Sequence, residues 1–237
     1  MTPNQLDQNK SHACGRRPSS PSIEINNQTV EFVSSFVYLG STVTSTGDVD
    51  TEVRRRRGLA SGVMRALWKP LWCQRSISRR TKLRIYNAAV LPVLLYGAET
   101  WPLSKSLAQC LLGFESKALR TIEGISWREH ITNEEIRSRT CQPPVVRTLA
   151  QRRVRWYGHI QRLPHSHPTA SILSFDPVAA GWRRPRGAPR TRWLDLVRKD
   201  LQEVDIRWQD VQNLAADRRR WRNIVQCVGS TPSWHET

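Results

Sequence analysis

Residues 36–42 read FVYLGST, and residues 90–101 read VLPVLLYGAETW. In the first stretch, β-branched and aromatic residues alternate up to a glycine, which is typical of a strand that ends in a tight turn. Upstream, Ile23 and Ile25 alternate with polar residues. Residues 22–47 are therefore predicted to form a small antiparallel β-hairpin sheet of two or three strands. Such a sheet is only marginally stable by itself, so it needs a helix or another partner to pack against.

Downstream of the sheet, apolar residues recur at helical spacing in segments separated by proline or glycine. Asp48 is a plausible N-cap for the first of three helices in a bundle, and Pro92 bends or ends the second. The fold class predicted is mainly α, with a small antiparallel β-hairpin sheet, a helical bundle and a second small helical C-terminal region. The predicted segments are a disordered N-terminus (1–21), the sheet (22–47), the bundle (48–142), a basic helix (143–163), a basic Pro- and Gly-rich linker (164–192), a helix hairpin (193–227) and a disordered tail (228–237).

The charge of the chain is strongly positive and unevenly distributed. The formal net charge is +17, and the surplus lies entirely after residue 50. Most of the basic residues are arginines, whose planar guanidinium group binds phosphate through two hydrogen bonds and stacks on bases. These features predict a polyanionic partner. Charge alone does not choose between DNA, RNA and anionic lipid, and the alternative is that the basic surplus only keeps the protein soluble.

Several other classes of protein are disfavoured by the sequence. The longest apolar run, residues 88–96, contains a proline and is shorter than the roughly 20 residues of a membrane-spanning helix. The N-terminus has no apolar targeting segment, so an intracellular location, nuclear or cytoplasmic, is expected. Five cysteines fit neither a disulfide framework nor a zinc site by their spacing. We predict no membrane association, no cofactor and no metal, and interpret His159, His165 and His167 as solvated side chains.

Several motifs occur together in one order along the chain. FVYLGST is followed by a basic helical pattern with four consecutive arginines at 54–57, then by LLYGAETW, by GISWREH at 124–130 and by ADRRRWR at 216–222. This succession, over about residues 23–226, resembles the part of a non-LTR retrotransposon reverse transcriptase that follows the polymerase active site. The resemblance implies that residues 22–47 are the remnant of a palm with its primer grip, and that residues 48–142 resemble a thumb.

The resemblance also indicates what the chain lacks. Polymerases of that family carry an aromatic-x-Asp-Asp strand whose carboxylates hold the catalytic metals, and no two aspartates are adjacent in this sequence. Phosphoryl transfer needs metal ions held by carboxylates. Since the fingers, the main palm and the endonuclease are not represented either, we predict that the chain is not an enzyme.

The candidate binding residues come from the hairpin and from the arginine-rich segments. The resemblance implies that Tyr38 and Gly40 lie in the primer grip, and the alternative for Tyr38 is a core residue. Thumb arginines would contact phosphates without reading sequence, and the alternative for any one of them is a solvated helix face. The candidates are Tyr38, Gly40, Arg54, Arg55, Arg57, Arg65, Arg152, Arg153, Arg155, Arg183, Arg184, Arg186, Arg190 and Arg192.

These observations lead to one principal function and two alternatives. The principal prediction is a truncated, reverse-transcriptase-like protein that binds nucleic acid without sequence preference, as RNA–DNA hybrid, DNA or RNA. The first alternative is a relic, or a piece of a longer polyprotein, whose missing palm and fingers would be its partners. Exposed Phe32, Phe36 or Tyr38 would favour it. The second is a domesticated module that binds another protein through its helical bundle.

Overall fold

The computed structural model describes the main chain of residues 23–25 and 28–30, together with residues 33–45, 47, 49–164, 166–174 and 192–229. Within these residues the protein is mainly helical, with small antiparallel hairpins preceding a helical bundle, which confirms the predicted fold class. The disorder predicted for 1–21 and for most of 228–237 lies outside the described residues. So do the capping role of Asp48 and the part of the linker from 175 to 191.

Four short strands form two separate hairpins. Strands β1 (Ile23–Ile25) and β2 (Gln28–Val30) pair antiparallel, and so do β3 (Ser35–Tyr38) and β4 (Ser41–Thr44). The β3–β4 turn consists of Leu39 and Gly40, with φ of 47° and 77°. Two positive φ values are typical of a type I′ hairpin turn, and glycine adopts its value without a steric cost.

Ten α-helices follow along the described part of the chain. They are α1 (Asp50–Ala66), α2 (Arg79–Ile85), α3 (Leu91–Leu94), α4 (Lys105–Glu123), α5 (Asn133–Thr140), α6 (Val145–Gln161), α7 (Pro168–Ser174), α8 (Trp193–Gln202), α9 (Val211–Ala216) and α10 (Arg218–Cys227). The second predicted helix is divided, because a π-type turn at Tyr86–Val90 separates α2 from α3 just before Pro92. Proline has no N–H to continue the regular ladder, and such wider turns accommodate the break.

Two of these helices lie where the sequence predicted none. Helix α5 buries a single large apolar side chain, that of Ile136, so it has no apolar period to detect. Its start is fixed by the hydroxyl of Thr132, which accepts a hydrogen bond from the N–H of Glu135 at 3.2 Å. Helix α7 lies in the stretch predicted to be linker.

Two apolar cores are joined by one helix. The first core contains residues from α1 through α5, including the turns between those helices, and the start of α6; among them are Trp101, Leu119 and Leu149. The second contains the rest of α6 with α8 to α10, including Leu201 and Trp221. The basic helix predicted at 143–163 is therefore not a separate segment. Helix α6 contributes apolar side chains to both cores and couples them.

Candidate nucleic-acid interface

The tip of the β3–β4 hairpin is fastened to α1 by a buried carboxylate. Glu52 Oε2 accepts the N–H of Thr42 at 2.8 Å, and Glu52 Oε1 accepts from Nε of Arg56 at 2.6 Å. The same arginine donates through Nη2 to the carbonyl of Gly40. Burial raises the pKa of Glu52, but the hydrogen bonds from Arg56 and Thr42 outweigh burial and hold that pKa below its ordinary value of 4.5. Glu52 is therefore ionised at neutral pH and orders the hairpin.

Tyr96, from the LLYGAETW motif, lies against the same turn. Its hydroxyl donates to the carbonyl of Leu39 at 2.8 Å, and the guanidinium of Arg56 lies 4.3 Å from its ring centroid. Two other helices bind the same motif, because Nη1 of Arg152 donates to the carbonyl of Leu95 and the indole N–H of Trp193 donates to that of Glu99, both at 2.7 Å. Residues 36–42 and 90–101 thus meet in one structural junction.

Replacing Glu52 by glutamine is expected to release the hairpin tip from α1. A neutral amide cannot balance the buried guanidinium of Arg56, so we expect a loss of about 2–3 kcal/mol in the free energy of unfolding and faster amide exchange at Thr42. Because the pKa of Glu52 is lowered in the folded state, this stabilisation is present above pH 4.5 and is lost as pH falls through the folded value. Urea denaturation and amide hydrogen exchange measure both effects.

Glu135→Gln is the matched control, since Glu135 forms an exposed ion pair with Arg139 one helical turn away. It should change the free energy of unfolding by less than about 0.5 kcal/mol. Unchanged exchange at Thr42 in Glu52→Gln would contradict the role given to this carboxylate.

The four consecutive arginines of α1 have two different environments. Arg55 and Arg56 point to the hairpin: Arg55 is half-buried and donates through Nη1 to the carbonyl of Gly40 at 3.2 Å, beside Glu52 at 3.3 Å. Arg54 and Arg57 are exposed. Arg54 has a long contact of 3.8 Å with Asp50, and Arg57 donates to Cys110 Sγ at 3.0 Å. Two members of the run therefore organise the junction, while the other two face solvent.

Arg65 extends the exposed pair along the helix. Arg54, Arg57 and Arg65 fall within about a quarter of the helix circumference and span about 16 Å of its length. We call these three residues the α1 ridge. No carboxylate among the described residues forms an ion pair with Arg57 or Arg65. The α1 ridge therefore offers cationic groups to a ligand in solution.

The arginines predicted on α6 are separated by the fold. Arg153 is buried and binds Asp200 of α8 through two hydrogen bonds, and Arg152 is half-buried against Leu95. Arg155 is exposed. The buried ion pair removes Arg153 from the candidate set, because its guanidinium has no access to solvent. Arg152 instead binds the main chain of the LLYGAETW motif.

The remaining candidates are distributed as follows. Tyr38 is exposed at 61%, so it is not a core residue of the described chain. Gly40 presents its carbonyl to Arg55 and Arg56. Arg192 is exposed at the start of α8, where its main-chain N–H donates to Asp195 at 3.1 Å. Arg183, Arg184, Arg186 and Arg190 lie outside the described residues.

Some relevant residues escaped the set of candidates chosen from the sequence. Arg56 is not among those candidates, although a glutamate four residues before it on the same helix is the usual signal of an ion pair. The exposed arginines of α10 also lie outside that set: Arg218, Arg219, Arg220 and Arg222.

The described residues contain no other recognisable site. No three His, Cys, Asp or Glu side chains among them are placed to hold a metal ion. His159 stacks on Trp156 with ring centroids 5.3 Å apart. None of the described helices combines the length and the apolar character needed to cross a membrane.

Comparison with known proteins gives one informative similarity. The chain is 23% identical over 206 residues to an uncharacterized transposon-derived protein of Caenorhabditis elegans, a match that covers 82% of this chain and 71% of that protein. No protein-family model and no solved structure matches. The similarity supports a connection with transposons.

Proposed function

We propose that this chain is a transposon-derived, reverse-transcriptase-like protein that lacks the polymerase active site and binds nucleic acid without reading its sequence. The α1 ridge carries the proposal. It places cationic side chains in a row on a helix whose other face is packed in the first core and tied to the hairpin through Glu52. A rigid row of guanidinium groups suits a backbone of regularly spaced phosphates.

The composition of the chain and its similarity to another protein also support the proposed binding of nucleic acid. A net charge of +17 attracts any polyanion over long distances, while the ridge supplies the local contacts. The similarity to a transposon-derived protein agrees with an ancestry in which nucleic acid was the ligand. The order of the sequence motifs favours template–primer hybrid as that ligand.

Removing charge from the α1 ridge is expected to weaken binding to every nucleic acid. For Arg57→Gln with Arg65→Gln, the slope of log affinity against log salt on duplex DNA should fall in magnitude by about 1.8, since each phosphate contact contributes about 0.9. Affinity near physiological salt should fall about tenfold or more. Fluorescence anisotropy with labelled RNA–DNA hybrid, duplex DNA and single strands across a salt series measures both, and the best-bound form identifies the ligand.

Arg139→Gln with Arg207→Gln is the matched control, because it removes the same charge from two exposed arginines that pair with acids. It should leave the slope nearly unchanged. Equal losses in both double variants would mean that net charge alone drives binding and that the ridge is not an interface. Absence of binding by the unmodified chain would overturn the proposed function.

A second candidate function is favoured by the exposed apolar hairpin. Phe36 is 58% exposed and Tyr38 61%. In this alternative the chain is a relic or a piece of a longer polyprotein, and the palm and fingers of that polyprotein would cover the hairpin. A chain that binds no nucleic acid in the anisotropy titration would favour this alternative over the first proposal. Cooperative unfolding of such a chain in urea would point instead to an interaction module.

A further inference from the structure

The β3–β4 hairpin concentrates the exposed apolar surface of the protein. Of eleven large apolar side chains exposed among the described residues, five belong to it and a sixth, Val33, lies just before β3. The five are Phe36, Val37, Tyr38, Leu39 and Val43. Residues 33–45 contain no charged side chain and no proline. Sheet edges that stay monomeric are commonly protected by charges, proline or bulges. This hairpin has none of those devices, so its surface has the character of an interface.

The hairpin register determines which main-chain groups are available. Val37 lies opposite Thr42, and the N–H of Thr42 points away from β3 to reach Glu52. In an antiparallel pair, opposed residues alternate between bonded and non-bonded positions. Val37 and Ser35 are therefore at non-bonded positions, and their N–H and C=O groups point to the outer side of β3. No hydrogen bond within the described part of the chain occupies that side.

The other edge of the hairpin is closed where it meets α1. Glu52 takes the outward N–H of Thr42, and the carbonyl of Gly40 in the turn accepts from Arg55 and Arg56. Among the residues that the structure describes, the outer side of β3 is therefore the edge of the hairpin with free main-chain groups. A single open edge favours a closed pair over an extended fibre.

We propose that this edge pairs with β3 of a second copy of the chain, antiparallel about a two-fold axis at Phe36. In that register Ser35 lies opposite Val37 of the second copy, and Val37 lies opposite Ser35 of the second copy. The outward N–H and C=O groups of each pair form hydrogen bonds with one another. Phe36 then lies opposite Phe36 of the second copy in a non-bonded position, where cross-strand side chains approach most closely. The two hairpins become one four-stranded sheet.

The lack of charged side chains in the hairpin favours a second copy of the chain over nucleic acid as its binding partner. A nucleic acid needs cationic partners, and residues 33–45 supply none. A second copy presents the same uncharged apolar edge, and its register is self-complementary because Ser35 and Val37 flank Phe36 symmetrically. The opposing force is repulsion between two chains that each carry +17. Since salt screens such repulsion, this dimer is expected to tighten as salt rises, whereas nucleic-acid binding weakens.

The test is sedimentation velocity of the full chain, freed of nucleic acid by nuclease treatment, over a concentration series. We expect a monomer–dimer equilibrium that shifts to dimer between about 0.15 M and about 0.6 M salt. Val37→Pro removes an N–H that the proposed dimer uses, and it leaves the hydrogen bonds between β3 and β4 in place. Phe36→Lys replaces the central side chain by a charge. Each should raise the Kd of the dimer by about tenfold or more.

Ile172→Lys is the matched control, because Ile172 is 71% exposed on α7 and the substitution adds the same charge elsewhere. It should leave the Kd nearly unchanged, and circular dichroism should show that all three variants are folded. A chain that remains monomeric at every concentration and salt would overturn the proposal. A dimer that high salt disperses, or that neither hairpin substitution weakens, would overturn it as well.

Discussion

Arg153→Met is expected to lower the free energy of unfolding by about 3–5 kcal/mol, because it leaves a buried carboxylate without its partner. Arg153 is 4% exposed and Asp200 is 1% exposed. Nε and Nη2 of Arg153 donate to the two oxygens of Asp200 at 2.7 and 3.0 Å, joining α6 to α8 across the second core. Urea denaturation followed by circular dichroism gives the loss directly.

The double variant Arg153→Met with Asp200→Leu separates the value of the pair from the cost of an unpaired charge. Apolar residues of similar size commonly replace a buried ion pair at little cost. The double variant should therefore recover most of the stability lost in Arg153→Met. Arg139→Met is the control at an exposed ion pair and should cost less than about 1 kcal/mol. Similar small losses at both arginines would show that the Arg153–Asp200 pair does not hold the second core together.

This ion pair illustrates why local patterns were insufficient to choose the site residues. Arg153 lies between Arg152 and Arg155 in a basic run, and a basic run alone predicts a solvated face that binds polyanions. Its partner is far along the chain, at Asp200, and belongs to another helix. Pairings of that kind depend on how helices cross. The same holds for Arg152, whose acceptor is the carbonyl of Leu95.

The fold class, by contrast, was accessible from the sequence because it depends on local features. Alternation in FVYLGST and the glycine at its turn specify a hairpin, and the helical spacing of apolar residues specifies most helices. The exceptions follow the same logic. Helix α5 has a single large buried apolar residue, Ile136, and therefore no periodic pattern of apolar residues. The apolar residues of α6 divide between two cores, so its sequence resembles that of a separate basic helix.

The two motifs that suggest a function in the sequence have a structural role in the fold. FVYLGST and LLYGAETW meet at the hairpin turn, where the hydroxyl of Tyr96 donates to the carbonyl of Leu39 and Arg55 of α1 donates to that of Gly40. Several polar groups of the two motifs are therefore occupied by hydrogen bonds within this junction. The exposed residues that remain for a ligand, chiefly the α1 ridge, make no contact with the hairpin. No local pattern distinguishes them from Arg55 and Arg56.

The second large effect is expected at Gly158, where even one methyl group would not fit. A Cβ built on Gly158 would lie 1.9 Å from Nε1 of Trp221 and 2.4 Å from its Cε2. That indole is buried, and it donates to the carbonyl of Val154 on α6 at 3.1 Å. Gly158→Ala must therefore push Trp221 out of the second core. The gain of about 1 kcal/mol from alanine in a helix is outweighed by a packing loss of about 3–5 kcal/mol.

Gly113→Ala is the matched control, since Gly113 lies in α4 and nothing is found within 4 Å of a Cβ built there. It should stabilise the protein by up to about 1 kcal/mol, so the same substitution is predicted to have opposite signs on two helices. Gly158→Ala introduced into a Trp221→Leu background should cost much less than in the unmodified chain, because the smaller side chain leaves room for the methyl group. Urea denaturation of five proteins provides the comparison: the unmodified chain, Gly158→Ala, Gly113→Ala, Trp221→Leu and the double variant. If Gly158→Ala were as stable as Gly113→Ala, the close packing of α10 against α6 through Trp221 would be wrong, and with it the assignment of the second core.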